Sequence, residues 1–298
     1  MKNQPLVSIC IPTYNGADYI VQAMDSALAQ TYPNLEIVVS DDASIDATLE
    51  LIASYKNKTS IPIYIHHHTP NGIGANWNHC ITKAKGKYIK FLFQDDVLLP
   101  ECVASMVKVM DAYDDVGIVA SKREFIVESS FLDAGASQWI TTYGDLQQHL
   151  NLPVVDGMSF IDHSLFGRSD FFESPMNKIG EPTTMLFKKE LIAKIGPFRE
   201  DLKQVLDYEF CYRVLPSQKI AVLQAPLVQF RLHGAQTTVV NKYSDAYAQD
   251  YKIYEQLVYV NYFKFLNAKT QKRLSIKYNT FAKVKHKISK RLKRLLNK

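Results

Sequence analysis

Apolar and polar positions fall into blocks that switch period along the first 120 residues. Leu6 to Ile11 is an apolar, β-branched run stopped by Pro12, the pattern of a strand buried on both faces. Asp18 to Gln30 carries Ile20, Ala23, Met24, Ala27 and Leu28 at helical spacing, with Asp18 placed to cap. Tyr32-Pro33-Asn34 breaks that helix, and Leu35 to Ser40 predicts a second strand ending at Asp41 and Asp42. Ser44 to Tyr55 predicts a second helix, Ile61 to His66 a third strand, and Asn76 to Lys85 a third helix. Tyr88 to Phe93 is a fourth strand, which ends in the acid pair Asp95 and Asp96 ahead of a helix from Glu101 to Met110. Strands alternating with helices predict an α/β fold: a doubly wound, mostly parallel sheet with helices on both faces.

Beyond Ile118 the period weakens, with a strand-like REFIV segment and helical character from Tyr143 to Leu150. Order returns with a strand at Thr183 to Phe187, a short helix at Lys189 to Ile195 and a turn at Gly196-Pro197-Phe198. A helix follows on the Val205, Phe210, Val214 spacing, then a strand at Val228 to Leu232. At the far end Leu274, Tyr278, Phe281, Val284, Ile288, Leu292 and Leu295 form one helical stripe among lysines and arginines.

Composition adds two facts. Apolar residues make up 47% of the 298 and charged residues 22%, ordinary for a globular chain with a sizeable core. The net charge of +5 hides an asymmetry, since Gln256 to Lys298 holds 13 Lys or Arg and no acid, leaving an acidic body and a basic tail. Cys10, Cys80, Cys102 and Cys211 show no CxxC spacing and sit beside apolar segments, so they read as buried thiols of a reducing compartment. No long apolar core precedes Pro12 and no stretch reaches membrane-span length, so the expected location is cytoplasmic.

The layout places Pro12-Thr13-Tyr14-Asn15, Asp41-Asp42 and Asp95-Asp96 at the C-terminal ends of strands, where an open parallel sheet binds ligands. Acids there can simply cap turns or helix starts, as Asp96 would for Glu101 to Met110, or hold a divalent metal against a diphosphate. No G-x-G-x-x-G or P-loop pattern follows any strand, so dinucleotide and P-loop binding lose support. His66-His67-His68 invites a metal reading, but consecutive strand-end residues point different ways, so the triplet reads as structural.

VSICIPTYNGADYIVQAMDSALAQTYPNLEIVVSDDASIDAT, followed by NGIGANWNHCITKAKGKYIKFLFQDDVLLP, resembles the nucleotide-sugar domain of the inverting family 2 glycosyltransferases, which have the GT-A fold. The resemblance resumes at Gly180 to Arg213 and at Phe230 to Thr238. It implies a GT-A domain over residues 1–240, with a nucleotide-sugar half at 1–120 and an acceptor-binding and catalytic half at 121–240, and a helical basic extension at 241–298. It also implies a nucleotide diphosphate sugar held by Pro12, Tyr14, Asn15, Asp42, Asn78 and Asp96. A tyrosine face can stack on a base while a carboxylate accepts hydrogen bonds from it or from ribose. Asp207, in a segment similar to the family's Glu-Asp-x-x-x-x-x-Arg ending at Arg213, is implied to be the general base. Asp95 and His233 are the implied ligands of Mg²⁺ or Mn²⁺.

Three positions depart from the family pattern. Phe93 stands for the first aspartate of Asp-x-Asp, Trp77 for an arginine, and Leu206 for the glutamate before Asp207. The implied reaction is inverting transfer to a hydroxyl of a saccharide or lipid-linked saccharide, in bacterial-type surface polysaccharide assembly. The departures keep open an inactive nucleotide-sugar-binding or assembly subunit. A nucleotidyltransferase would need a glycine-rich basic loop after the first strand, which PTYNGADY does not supply. The basic stripe in residues 271–298 suits an anionic surface on the inner face of the cell membrane, the coherent place for a lipid-linked acceptor, and nucleic acid is not expected.

Overall fold

In the first strand, β1 (Val7–Thr13), Val7, Ile9 and Ile11 face one core while Cys10 faces another. β2 (Leu35–Asp41) repeats the division, with Ile37 and Val39 on one side and Val38 on the other. This period of two, with apolar residues on both sides, requires a sheet covered on both faces. The computed structural model of the chain describes residues 4–131, 134–234, 236 and 246–296. In it β3 (Ile63–His67), β2, β1 and β4 (Tyr88–Phe91) pair in parallel in that order. Polar residues inside these strands are paired: Ser8 Oγ donates to Glu36 at 2.6 Å, and Glu36 also accepts from the Lys85 amide.

The sheet continues through β8 (Met185–Lys188), β6 (Val116–Val127) and β9 (Lys219–Leu232) to β5 (Val97–Leu98), with β7 (Met158–Ile161) beside β9. β8 runs antiparallel to both its neighbours, so its start lies beside the C-terminal end of β4. β6 and β9 are parallel over most of their length, and parallel pairs make up most of the ladder. β8 begins two residues later than the apolar run suggests because Pro182 pins a 3₁₀ turn through Thr184. β9 runs far beyond Val228 to Leu232, crossing Pro226 where the register against β6 slips.

α1 (Ile20–Leu28) and α4 (Cys102–Ala112) cover one face, and α3 (Ile73–Lys83) and α7 (Leu206–Val214) the other. α2 (Thr48–Ala53) packs beside α1, and α6 (Leu191–Ile195) beside α7. The helix expected at Tyr143 to Leu150 lies earlier, as α5 (Ala134–Tyr143). The chain then turns at Gly144, and Lys122 pairs with Asp145 and Gln147.

Residues 246–278, expected within a separate extension, share the main core. α8 (Ala246–Tyr262) buries Tyr254, Val258 and Tyr262 there, and α9 (Ala268–Tyr278) adds Leu274. Glu255, 2% exposed, ties the two helices by accepting from Arg273, Lys277 and the Tyr278 hydroxyl. Asp250 of α8 accepts the amides of Lys203 and Gln204 at 2.7 and 2.6 Å, fixing the loop that feeds α7. α10 (Thr280–Leu296) starts from an Asn279 cap. The stripe expected to run on one face is split at that cap. Leu274 and Tyr278 face the body, whereas Phe281, Val284 and Ile288 are 89%, 51% and 55% exposed.

Candidate active site

Four strand-end segments and one helix start meet in a cleft of about 400 Å³. Pro12 at the end of β1 and Tyr14 just after it, Asp42 after β2, Phe93 to Asp95 after β4, Glu181 and Pro182 before β8, and Leu206 and Asp207 at the start of α7 line it. The structure therefore brings together Pro12, Tyr14, Asp42, Asp95 and Asp207 out of the residues singled out in the sequence.

Each acid pair is divided between the cleft and the scaffold. Asp41 accepts from the Thr13 hydroxyl and from Ser44, knitting two turns, while Asp42 lines the cleft and is paired with His68 Nδ1. Asp95 faces the cleft, and its Oδ2 lies 3.0 Å from His233 Nε2. Asp96 is buried beneath it and accepts the Arg231 amide at 3.0 Å, with burial and the neighbouring Asp95 pushing its carboxyl up. Asp96 is thus a scaffold residue rather than a nucleotide ligand.

Two other expected contacts are absent from the cleft lining. Asn15 adopts φ of 46° and ties its turn to the next, its Oδ1 accepting the Ile45 amide and its N–H donating to Ser44. Asn78 is buried on the inner side of α3, donating to the Phe198 carbonyl and Glu200 and accepting the Phe198 amide. Its neighbour Asn76 faces the cleft instead. Arg213 is also structural, donating to the Ile195 and Pro197 carbonyls and so pinning the turn before the 203–204 loop.

Asp207 is the most perturbed acid of the cleft. Burial pushes its carboxyl up to about 7, and the charge of Glu181 adds to the rise. Asn177 donates to Oδ2 at 3.0 Å, and the buried Oδ1 has no partner. A carboxylate titrating near neutrality with one free oxygen is suited to accept a proton from a ligand hydroxyl.

Two departures from the family pattern touch one another. The rings of Trp77 and Phe93 lie 5.1 Å apart, tilted by 31°, and both line the cleft. Where the family pattern has an aspartate and an arginine, the cleft presents an apolar wall.

Sequence reasoning overlooked residues that act across long separations. Arg231 is 3% exposed and donates to the Asp95 carbonyl, Glu128 and Gln22 while its guanidinium lies over Tyr19. Its contacts set the Asp95-Asp96 turn. Gln94 clamps the backbone of Tyr14 with two hydrogen bonds, close enough that a Cβ at Gly16 would strike it. Asn177 and Glu181 carry no local pattern that marks them, and His68, marked only as part of a histidine triplet read as structural, is the one that pairs with Asp42.

Asp95, which lines the cleft, and His233, which does not line it but sits 3.0 Å from Asp95 Oδ2, would offer a divalent cation one carboxylate and one imidazole, leaving the rest of its shell to phosphate oxygens and water. Among the described residues no group of three or more acids, histidines and cysteines could hold a metal alone. No helix among them is long and apolar enough to cross a membrane.

A family model described as glycosyl transferase family 2 matches residues 8–170. Uncharacterized glycosyltransferases of Rickettsia prowazekii and Rickettsia typhi are 31% and 30% identical, each over 78% of this chain and 66% of the relative. The chain therefore spans just under two thirds of these relatives' length. Among solved structures, S. aureus TarS 1–349 in complex with UDP-GlcNAc superposes with a TM-score of 0.66 at 18% identity, covering 91% of this chain and 73% of that one. A mannosyltransferase from Pyrobaculum calidifontis in complex with GDP-Man and Mn²⁺ gives 0.58 at 17% identity, covering 98% and 81%. At such identities the likeness concerns the fold, and the fold is the GT-A-type sheet expected from the sequence.

Proposed function

The chain belongs to glycosyl transferase family 2, and on that premise we propose that it moves a sugar from a nucleotide diphosphate sugar to a hydroxyl of a saccharide or lipid-linked saccharide, inverting the anomeric carbon. The observation that carries this reading is Asp207, with a carboxyl near 7 and a free oxygen in the same cleft as Asp42 and Asp95. Tyr14 and Asp42 border the end of the cleft that suits a nucleoside, and His68 holds Asp42 in place. A cation held by Asp95 and His233 supplies charge neutralisation for the diphosphate when bound. Asp207 takes the acceptor hydroxyl's proton as that oxygen forms its bond to the anomeric carbon, and the bond from that carbon to the diphosphate oxygen breaks on the opposite side. The binding of UDP-GlcNAc and UDP by TarS and of GDP-Man by the Pyrobaculum calidifontis mannosyltransferase supports a nucleotide sugar as donor.

The test is a thermal-shift screen of nucleotide sugars with Mn²⁺, followed by assay for released nucleoside diphosphate. A ligand at a hundred times its Kd stabilises by about 2.7 kcal/mol, roughly 5 °C for a chain of this size. Absence of a shift across the panel would overturn the reading. A shift without nucleotide release would favour the inactive assembly subunit, which Phe93 and Leu206 keep in view.

The same proposal places the protein on the cytoplasmic face of the membrane, in surface polysaccharide assembly, through α10. Its exposed Phe281, Val284 and Ile288 lie among Lys283, Lys285, Lys287 and Lys290, each basic residue adding about 1 kcal/mol on anionic lipid. Leu274 and Tyr278 pack on the core, so the part left to meet a membrane is α10. Phe281→Ser with Ile288→Ser is expected to abolish flotation with phosphatidylserine vesicles while leaving the melting temperature unchanged. Flotation equal to wild type would reject the assignment.

A further inference from the structure

Three buried acceptor atoms of the cleft-lining residues have no hydrogen-bond partner: Asn76 Oδ1, Glu181 Oε2 and Asp207 Oδ1. Buried acceptors are normally satisfied, so three left open on residues that line one cleft point to donors supplied when a ligand binds. Acceptors are complemented by donors, and a molecule that presents several O–H donors over a small area is a sugar ring.

Glu181 is the member of this set held most firmly. Its other oxygen is 3.1 Å from Arg123, whose side chain is 3% exposed and lies over the rings of Phe125 and Phe230. Arg123 also donates to the Tyr143 carbonyl, so its direction is fixed. Behind Glu181, Asn177 Oδ1 accepts the amides of Ile179 and Gly180, while its Nδ2 reaches both the Gly180 carbonyl and Asp207. Gly180 has φ of +152°, and a Cβ there would meet Thr184 Oγ1 at 2.2 Å. One asparagine therefore bolts the Glu181 loop to Asp207.

The topology sets Glu181 between two ends of the reaction. It precedes β8, whose start lies beside the end of β4 and the Asp95 turn, and it shares the cleft with Asp207 at the start of α7. A nucleotide sugar with its diphosphate at Asp95 and its anomeric carbon facing Asp207 has its ring in that interval. Leu206, apolar where the family pattern has glutamate, cannot accept a hydroxyl. Glu181 supplies a carboxylate to the same cleft from another element.

We infer that Glu181 is a specificity-determining residue that accepts a hydroxyl of the transferred sugar through Oε2, and that this sugar is uncharged. The inference rests on the glycosyltransferase reading. Four acids, Asp42, Asp95, Glu181 and Asp207, line the cleft against the single cation Lys203 among the described residues. A uronic acid would bring its carboxylate against Glu181 and Asp207, whereas a neutral hexose or N-acetylhexosamine presents donors to both.

The experiment measures binding of UDP, GDP, UDP-glucose, UDP-N-acetylglucosamine, GDP-mannose and UDP-glucuronate to the full chain with Mn²⁺, by calorimetry. Wild type is expected to bind a neutral nucleotide sugar at least about tenfold tighter than the uronate. E181Q is expected to bind that neutral donor about 10 to 100 times more weakly, with affinity for the bare nucleoside diphosphate within about twofold of wild type. E181D, which keeps the charge but withdraws it, is expected to fall between. Three outcomes would overturn the inference: sugar-nucleotide affinity unchanged in E181Q, equal loss of diphosphate and sugar-nucleotide binding in both variants, or preference of wild type for the uronate. Wild-type protein that binds none of the six compounds would remove the glycosyltransferase reading itself.

Discussion

Asp207→Asn is expected to lower turnover by about three orders of magnitude, leave nucleoside diphosphate binding intact and raise thermal stability at alkaline pH. The first effect follows from removing a general base, whose contribution is typically 10²- to 10⁴-fold. The wild-type rate should fall on acidification through pH 7, because burial holds the Asp207 carboxyl at about 7 and the protonated acid cannot accept a hydroxyl proton. The stability effect has the opposite sense. A carboxyl that titrates near 7 in the fold and near 4 in the unfolded chain holds its proton more tightly when folded. Its stabilising contribution is complete below about pH 4 and is lost as pH rises through about 7. The difference is worth on the order of 4 kcal/mol at most, reduced by the partial opening of Asp207 to the cleft. Asparagine carries no charge at any pH, so the variant escapes the loss. Melting temperatures at pH 5 and 8.5 check it: the advantage of the variant should widen at the higher pH. Unchanged turnover would reject Asp207 as the base.

The parts legible in the sequence share a physical origin. β1, β2 and β4 are buried on both faces, so their apolar runs have no helical competitor, and the acids that follow β2 and β4 fall at the crevice because parallel strands end together. Which acid of each pair faces the ligand was legible only through resemblance. Asp95 and Asp96 are adjacent on one turn, and the division depends on Arg231, which lies 135 residues further along the chain from Asp96. Asn78 lies away from the cleft for a related reason: helical positions two apart point to nearly opposite sides, about 200° round the axis, and it is Asn76 that lines the cleft. Glu181 and Asn177 carry no periodic signature because their loop is held by Arg123 and Asp207 rather than by propensity. The tail stripe illustrates the converse error. Its spacing continues through Tyr278 and Phe281, but Asn279 restarts the helix, and one stripe serves the core and then the surface.

His233→Ala is expected to raise the divalent cation concentration needed for half-maximal turnover by roughly 10- to 100-fold, and Asp95→Ala to abolish turnover at any concentration. With Phe93 in place of a carboxylate, Asp95 is the one acid among the described residues on its turn that reaches the cleft, since Asp96 is spent on the Arg231 amide. A single carboxylate leaves most of the coordination shell to phosphate and water, so the imidazole 3.0 Å away is a large share of the protein's contribution. A nitrogen ligand also favours Mn²⁺, because Mg²⁺ prefers an all-oxygen octahedron. Chelator should therefore stop wild-type turnover, with Mn²⁺ restoring it at lower concentration than Mg²⁺. His233 packs on Tyr19, with ring centroids 4.8 Å apart, so its removal also leaves a gap. His233→Gln, which fills the space, separates the two effects: a ligand role predicts loss of metal affinity in both variants, and a packing role predicts rescue by glutamine. Full turnover in chelator, or a His233→Ala titration that overlays the wild type, would show that the Asp95 and His233 pair does not hold a cation.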